Sequence, residues 1–206
     1  MALIPPHTLI ELADVASLKP QPLLSWPQKM LTQAPYVIVR RGKQGTQIPV
    51  GIRGFTKSQR FAAFLPRNKW RKLISPQQAL TYLPKLAQER AQLPAFTKLQ
   101  KIISLLNNYD WGVSGSLQFE LVTGLPVVSL TSDIDVILTN MQPLSHQEAR
   151  ALIEQLQVSY PAVHVDIQVV SGQNGFSLEE FAQQRSTTIL LKTATGPKLV
   201  SDPWQF

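Results

Sequence analysis

Apolar residues recur along this chain with two different periods, and each change of period marks an element. "YVIVRRGKQGTQIPVGIRG" holds two β-rich runs, Tyr36 to Arg41 and Ile48 to Gly54, around a glycine-containing loop, and predicts a hairpin. In "TKSQRFAAFL" the spacing of Phe61, Phe64 and Leu65 predicts a helix with Lys57 and Arg60 at its start. "SPQQALTYL" supplies Ser75 as a cap and Pro76 at the first helical position, and closes a small α+β domain over residues 1–83. "LPKLAQERAQLPAF", bracketed by Pro84 and Pro94, predicts a linker over 84–95. From Phe96 the helical period returns with Leu99, Ile102, Ile103 and Leu106, up to Asn107 and Asn108. "DWGVS" predicts a short strand, "LQFELV" a helix stopped by Gly124 and Pro126, and "DIDVILT" a further strand. Ser145 and Glu148 have the capping-box spacing before the apolar face Ala149, Leu152, Ile153 and Leu156. "AVHVDIQVV" alternates Val163, Val165, Ile167 and Val169 with His164, Asp166 and Gln168, and predicts a strand with one polar face. "TTILLKT" and "PKLVSD" predict a terminal hairpin across Gly196 and Pro197. The fold class is therefore α+β, with a mixed sheet and helices over 96–206.

Composition narrows the class. The 206 residues are 44% hydrophobic, enough for a real core. No apolar run approaches the roughly 18 residues of a membrane span, and "MALIPPHTLIELAD" lacks the basic start of a signal peptide, so a cytoplasmic location is expected. With zero Cys and His7, His146 and His164 scattered, thiolate or clustered imidazole ligands are excluded, and any metal should be a hard cation held by oxygen. Charge is segregated. The net charge is +7, no Asp or Glu occurs between Val15 and Gln88, and from Glu89 onward 11 acidic residues outnumber 7 basic ones. This split suggests one half that attracts an anion and another that handles cations, or else an unusually basic solubilising surface.

The acids in the second half carry the candidate chemistry. On a strand, residues two apart share a face at about 6.6 Å, so Asp133 and Asp135 would project together. Either one caps a turn and the other faces solvent, or a divalent cation relieves the repulsion between them. Gly115 and Ser116 lie between a strand and a helix, where backbone N–H groups and a hydroxyl can meet a phosphate, although such a turn needs glycine for structural reasons too. Asp166 stands alone among apolar residues. If its strand lies beside that of Asp133, three carboxylates converge in a form able to hold two metal ions for displacement at phosphorus.

The order Gly-Ser, helix, strand with Asp-x-Asp, helix, strand with a third Asp resembles the DNA polymerase beta-like nucleotidyltransferase superfamily over roughly Phe96 to Val170. The gap from Ser116 to Asp133 is longer than is common there, which suggests a substrate role for "TGLPVVSLTS". "VVSLTSDIDVIL", "SGSLQFELVTGLP", "IPVGIRGFTKSQRFAAFL" and "SDPW" look like the phosphoribosyl-dephospho-CoA transferases of malonate decarboxylase, also called holo-acyl-carrier-protein synthases. That resemblance implies transfer of the prosthetic group from 2'-(5''-triphosphoribosyl)-3'-dephospho-CoA to a serine of the malonate decarboxylase acyl carrier subunit, with release of pyrophosphate. It also implies Mg²⁺ (or Mn²⁺) on Asp133, Asp135 and Asp166, and the triphosphate on Gly115 and Ser116. Arg53, Lys57, Arg60 and Lys192 are the basic candidates for donor binding, and the remaining positive charge suits an acidic carrier. The alternatives are another nucleotidyltransferase that uses ATP to adenylylate a small molecule or protein, and a non-catalytic nucleic-acid or partner-binding module. No nucleic-acid motif is present, and neither nucleic acid nor membrane is expected as a partner.

Overall fold

The computed structural model describes residues 3–56 and 58–205. Its contacts divide the chain into two compact units, 1–75 and 76–206, each with its own apolar core.

In unit 1 the strands β1 (Leu9–Leu12), β2 (Tyr36–Val39), β3 (Gln47–Arg53), β4 (Arg60–Pro66) and β5 (Trp70–Ile74) form a sheet in the order β4-β3-β2-β1-β5, with every pairing antiparallel. Helix α1 (Ser25–Gln33) sends Leu31 to the core built from Val37, Val39, Ile48, Val50, Ile52, Ala63 and Leu65. The expected hairpin is present as β2 and β3. The helix expected around Arg60 to Leu65 is instead β4. Residues 61, 63 and 65 also alternate, and β3 offers a complete seven-residue partner from Gln47↔Pro66 to Arg53↔Arg60, a ladder that outweighs the weak helical spacing. Ala63 and Leu65 are buried, whereas Phe64 is 47% exposed on the other face.

Unit 2 begins at Pro76, earlier than the sequence pattern suggests. Residues 76–95, which include the segment read as a linker, form α2 (Pro76–Ala79), a 3-10 stretch over Leu80–Lys85, α3 (Gln88–Ala91) and the start of α4 (Pro94–Ile102). Then follow β6 (Asp110–Val113), α5 (Gly115–Thr123), β7 (Ile134–Thr139), α6 (His146–Val158), β8 (Val165–Ser171), β9 (Asn174–Ser177), α7 (Leu178–Gln183), β10 (Ile189–Thr193) and β11 (Gly196–Val200). The sheet order is β11-β10-β9-β8-β7-β6, and β7 with β8 is its parallel pair, connected by α6. The capping box at Ser145 and Glu148 opens α6, Gly124 in the left-handed region (φ 73) closes α5, and the terminal hairpin is β10 with β11. Val136, Leu138, Val165, Ile167 and Val169 enter the core from one face of the sheet. The opposite face carries Asp135 and Thr139 of β7 and Asp166 and Gln168 of β8, together with the buried Ile137 and Val170. No helix among the described residues is long and apolar enough to cross a membrane.

Candidate active site

Two of the three expected carboxylates are neighbours by register. Asp135 on β7 pairs directly with Asp166 on β8. Register partners in a parallel ladder share a face, and both residues are half-buried between fully buried flanking positions. Two like charges on adjacent strands at one level repel each other unless a cation or donors lie between them. Asp133 is placed differently. It directly precedes Ile134, the first residue of β7. Among the described residues no three His, Cys, Asp or Glu side chains form a group that could hold a metal ion, so the trio expected from the sequence is not assembled as such. The in-register pair does suit a hard cation, because its donors are carboxylate oxygens alone.

The start of α5 closes one side of this pair. Ser114 N–H donates to the Asp135 carbonyl at 2.8 Å, which locks the turn onto β7. Gly115 follows with φ +63°, and a Cβ there would collide with the Asp135 carboxylate. Glycine is required at this position both for backbone conformation and for the close approach. Ser116 lies next to it, 6% exposed, in the first turn of α5. The Gly-Ser pair and Asp135 therefore meet at a helix N-terminus, where unpaired N–H groups and the helix dipole favour negative charge. On the same sheet face Gln168, two residues beyond Asp166, holds a buried Oε1 with no hydrogen-bond partner. A buried acceptor of this kind points to a missing donor.

The long gap before Asp133 is held by residues that the sequence pattern did not single out. Glu120, 1% exposed on α5, receives a two-point contact from Arg90 (Nε to Oε1 2.7 Å, Nη2 to Oε2 3.0 Å). Its Oε2 also accepts from Val127 N–H at 2.8 Å and Val128 N–H at 2.7 Å, while Arg90 Nη2 donates to the Val128 carbonyl at 2.7 Å. The hydrogen bond that Arg90 donates to Glu120 raises the pKa of its guanidinium above the ordinary value. Ser132 Oγ then accepts from Ser129 N–H at 3.0 Å, immediately before Asp133. Glu120 was visible as a lone acid in "LQFELV", but its partner lies thirty residues upstream in the presumed linker. A second buried charge lies under the start of β8. Lys98 on α4 is fully buried, and its Nζ donates to the Val163 carbonyl at 2.5 Å and approaches the carbonyl and side-chain oxygens of Gln157 at 3.5 Å. Burial pushes its pKa down to about 8.

The basic candidates are dispersed. In unit 1, Arg53 and Arg60 are directly opposite across β3 and β4. Arg53 is buried, whereas Arg60 is exposed and donates from Nη1 to the carbonyls of Thr56 at 3.3 Å and Gln59 at 3.1 Å. Lys57 lies outside the described residues. In unit 2, Lys192 pairs with Gly175, which pairs with Val170, so it shares the face of Asp166. It stands about 13 Å along the strand and about 10 Å across the sheet from that residue, too far for direct contact.

Two family models cover nearly the whole chain: the phosphoribosyl-dephospho-CoA transferase MdcG N-terminal domain over residues 5–76 and its C-terminal domain over residues 77–203. Among curated proteins, the phosphoribosyl-dephospho-CoA transferase of Pseudomonas syringae pv. tomato is 32% identical over 200 residues, covering 97% of this chain and 92% of the relative. The same-named protein of Azotobacter vinelandii is 34% identical over 185 residues (88% and 85%), and that of Pseudomonas fluorescens is 34% identical over 202 residues (97% and 93%). No solved structure gives a significant match.

Proposed function

The chain belongs to the phosphoribosyl-dephospho-CoA transferase family, and from that premise we propose that it moves the phosphoribosyl-dephospho-CoA group from 2'-(5''-triphosphoribosyl)-3'-dephospho-CoA onto a serine of the malonate decarboxylase acyl carrier subunit. The protein is a transferase. The serine oxygen forms a bond to the phosphorus next to the ribose, the bond from that phosphorus to the outer diphosphate breaks, and pyrophosphate leaves. A phosphodiester joins the group to the carrier.

The observation that supports this chemistry most is the register pair Asp135↔Asp166 with Gly115 against it. Asp135 and Asp166 would hold a hard divalent cation, Mg²⁺ or Mn²⁺, with Asp133 as the carboxylate of the adjoining loop that joins them for a second ion. Bound there, the ion supplies charge neutralisation for the phosphate oxygens. The residues of the chain do the rest. Gly115 lets the start of α5 lie against the Asp135 carboxylate, and Ser116 offers its hydroxyl and N–H as donors to a phosphate. The Glu120–Arg90 clasp fixes the loop from which Asp133 emerges. Asp166, or water beside it, takes the serine proton. The positive charge of unit 1 favours encounter with an acidic carrier surface.

The test is a mass measurement on the apo carrier after incubation with the protein, Mg²⁺ and either the triphosphoribosyl donor or ATP. Gain of the phosphoribosyl-dephospho-CoA mass with the first donor alone is the expected result. A gain of an adenylyl group with ATP alone would replace this reading by an adenylyltransferase.

A further inference from the structure

Strand register lays out the polar face of the unit 2 sheet in rows. Asp135 and Asp166 form the first. The next runs Gly112, Ile137, Gln168 and Ser177 across β6, β7, β8 and β9, and the one after it runs Asp110, Thr139, Val170 and Gly175. Helix α2 covers the β6 end of these rows. A Cβ on Gly112 would collide with the Pro76–Gln77 backbone, and Gln77 Nε2 donates to Thr139 Oγ1 at 2.9 Å and to Asp110 Oδ1 at 3.1 Å. Gln168 stands beside the carboxylate pair, about 6.6 Å along β8 from Asp166. Its Oε1 is buried and has no hydrogen-bond partner among the described residues.

The neighbours of Gln168 on this face do not satisfy it. Asp135 and Asp166 as carboxylates only accept. Thr139 Oγ1 donates to the Asp110 carbonyl at 3.3 Å. Ser177 caps α7, its Oγ accepting from Glu180 N–H at 3.3 Å. Ile137 and Val170 have no polar side-chain group. A buried acceptor left open costs free energy, and an unsatisfied group beside a reactive site marks a place where a ligand supplies the partner. The polarity of the group also says what that partner is not. Ionised phosphates present acceptor oxygens, so Gln168 Oε1 has no use for the triphosphate. It needs a hydroxyl or N–H close to the reacting phosphorus. In the proposed donor that phosphorus carries the ribose directly, and the sugar bears hydroxyl groups a few bonds away.

We propose that Gln168 recognises the sugar of the donor, its Oε1 accepting a hydrogen bond from a hydroxyl of the ribose attached to the reacting phosphorus. The assignment rests on the proposed transferase function and lies wholly within unit 2. Gln168 fixes the ribose against the sheet while Asp135 and Asp166 act at the phosphate. A donor whose sugar lacks that hydroxyl leaves the acceptor buried and open, and is discriminated against for that reason.

Calorimetry with the full chain, Mg²⁺ and no carrier reads this contact without transfer. The ligands are triphosphoribosyl-dephospho-CoA and its 2''-deoxy and 3''-deoxy analogues. One of the two deletions should weaken binding to the wild type about tenfold, as loss of a hydrogen bond with its acceptor left buried does. In Gln168→Met, which keeps the length and removes the acceptor, the same deletion should cost less than about twofold. A purely structural role would weaken all three ligands equally and leave that ratio at its wild-type value, which overturns the assignment. So would wild-type binding that neither deletion changes by more than about twofold. Stability gives an independent reading. An apolar side chain in place of an open acceptor should keep or raise the urea midpoint, and a clear fall would show the amide already bonded in the free protein and overturn the assignment. Mn²⁺ titrated without donor should bind Gln168→Met within about twofold of wild type, whereas a loss of about tenfold would make the amide a metal ligand instead. Absence of any binding of the donor to the wild type would overturn this assignment and the transferase reading together. Every other contrary result leaves the transferase reading standing, since that reading fails on the mass measurement, when ATP alone modifies the carrier.

Discussion

The two units solve opposite electrostatic problems with similar materials. Unit 1, through Ser75, has twelve basic and two acidic residues and builds an all-antiparallel sheet. Unit 2, from Pro76, has eight basic and eleven acidic residues and carries a parallel pair, β7 and β8, within its sheet. In an antiparallel ladder, opposite residues are set by hairpin register, and that puts Arg53 against Arg60. In the parallel pair, strands that both begin at the same end bring Asp135 and Asp166 to one level. One unit concentrates positive charge, and the other concentrates negative charge. Phosphoryl transfer needs both. Under the proposed function, chemistry falls to the second unit and recognition of an anionic partner to the first.

The largest test of that division is Asp135→Asn or Asp166→Asn. Either should cut turnover by about a thousandfold while circular dichroism stays unchanged, in the range seen when a charge-stabilising group is removed from an active site. Turnover within threefold of wild type in either variant would put the chemistry elsewhere. Next in size is Glu120→Gln. It leaves Arg90 facing a neutral amide and weakens two N–H contacts to Val127 and Val128, so denaturant unfolding of unit 2 should lose about 3 kcal/mol. A loss below about 1 kcal/mol would show that the loop before Asp133 is held by other means. Gly115→Ala should cost about 1–2 kcal/mol from its left-handed backbone, and it should lower turnover further by pushing on the Asp135 carboxylate.

Smaller still is the effect of the buried Lys98. Its folded pKa of about 8 lies below the ordinary 10.5 of the unfolded chain, so between those values the unfolded state binds more protons and stability rises with pH. Below about pH 8 both states are protonated and the whole burial penalty is felt. Thermal midpoints of the wild type, compared with Lys98→Met, should climb from pH 8 to 10, and parallel profiles for the two would contradict the assignment. The smallest effect separates the units by salt. Raising ionic strength from about 0.05 to 0.5 M should increase KM for donor and carrier severalfold, because screening acts on exposed charge of unit 1, and should change kcat little.

Much of this was legible from residue order. The capping box of α6, the Gly124 stop of α5, the β2–β3 hairpin and the terminal hairpin each rest on local chemistry, and the structure holds all four. Asp166 stands out because an acid in an apolar strand demands a reason, and the register places it beside Asp135. Phe61, Phe64 and Leu65 fit helical spacing, while the deciding factor for β4 is its partner strand β3, which ends at Arg53 before β4 begins at Arg60. The Arg90–Glu120 clasp was hidden in the same way, since its halves come from different elements and a bracketing pair of prolines made 84–95 look like a linker. Lys98 carries no local signal at all, because a lysine within an amphipathic helix ordinarily faces water and here it points at the carbonyls before β8. Long-range pairing, which no short window records, accounts for each of these misses.

The claim that chemistry resides where β7 and β8 begin is tested most directly by a crystal of the protein soaked in Mn²⁺ and measured at the manganese edge. Anomalous density between the Asp135 and Asp166 carboxylates is the expected result, with a second peak if Asp133 joins them. Density bound elsewhere, with none between those two side chains, would contradict it.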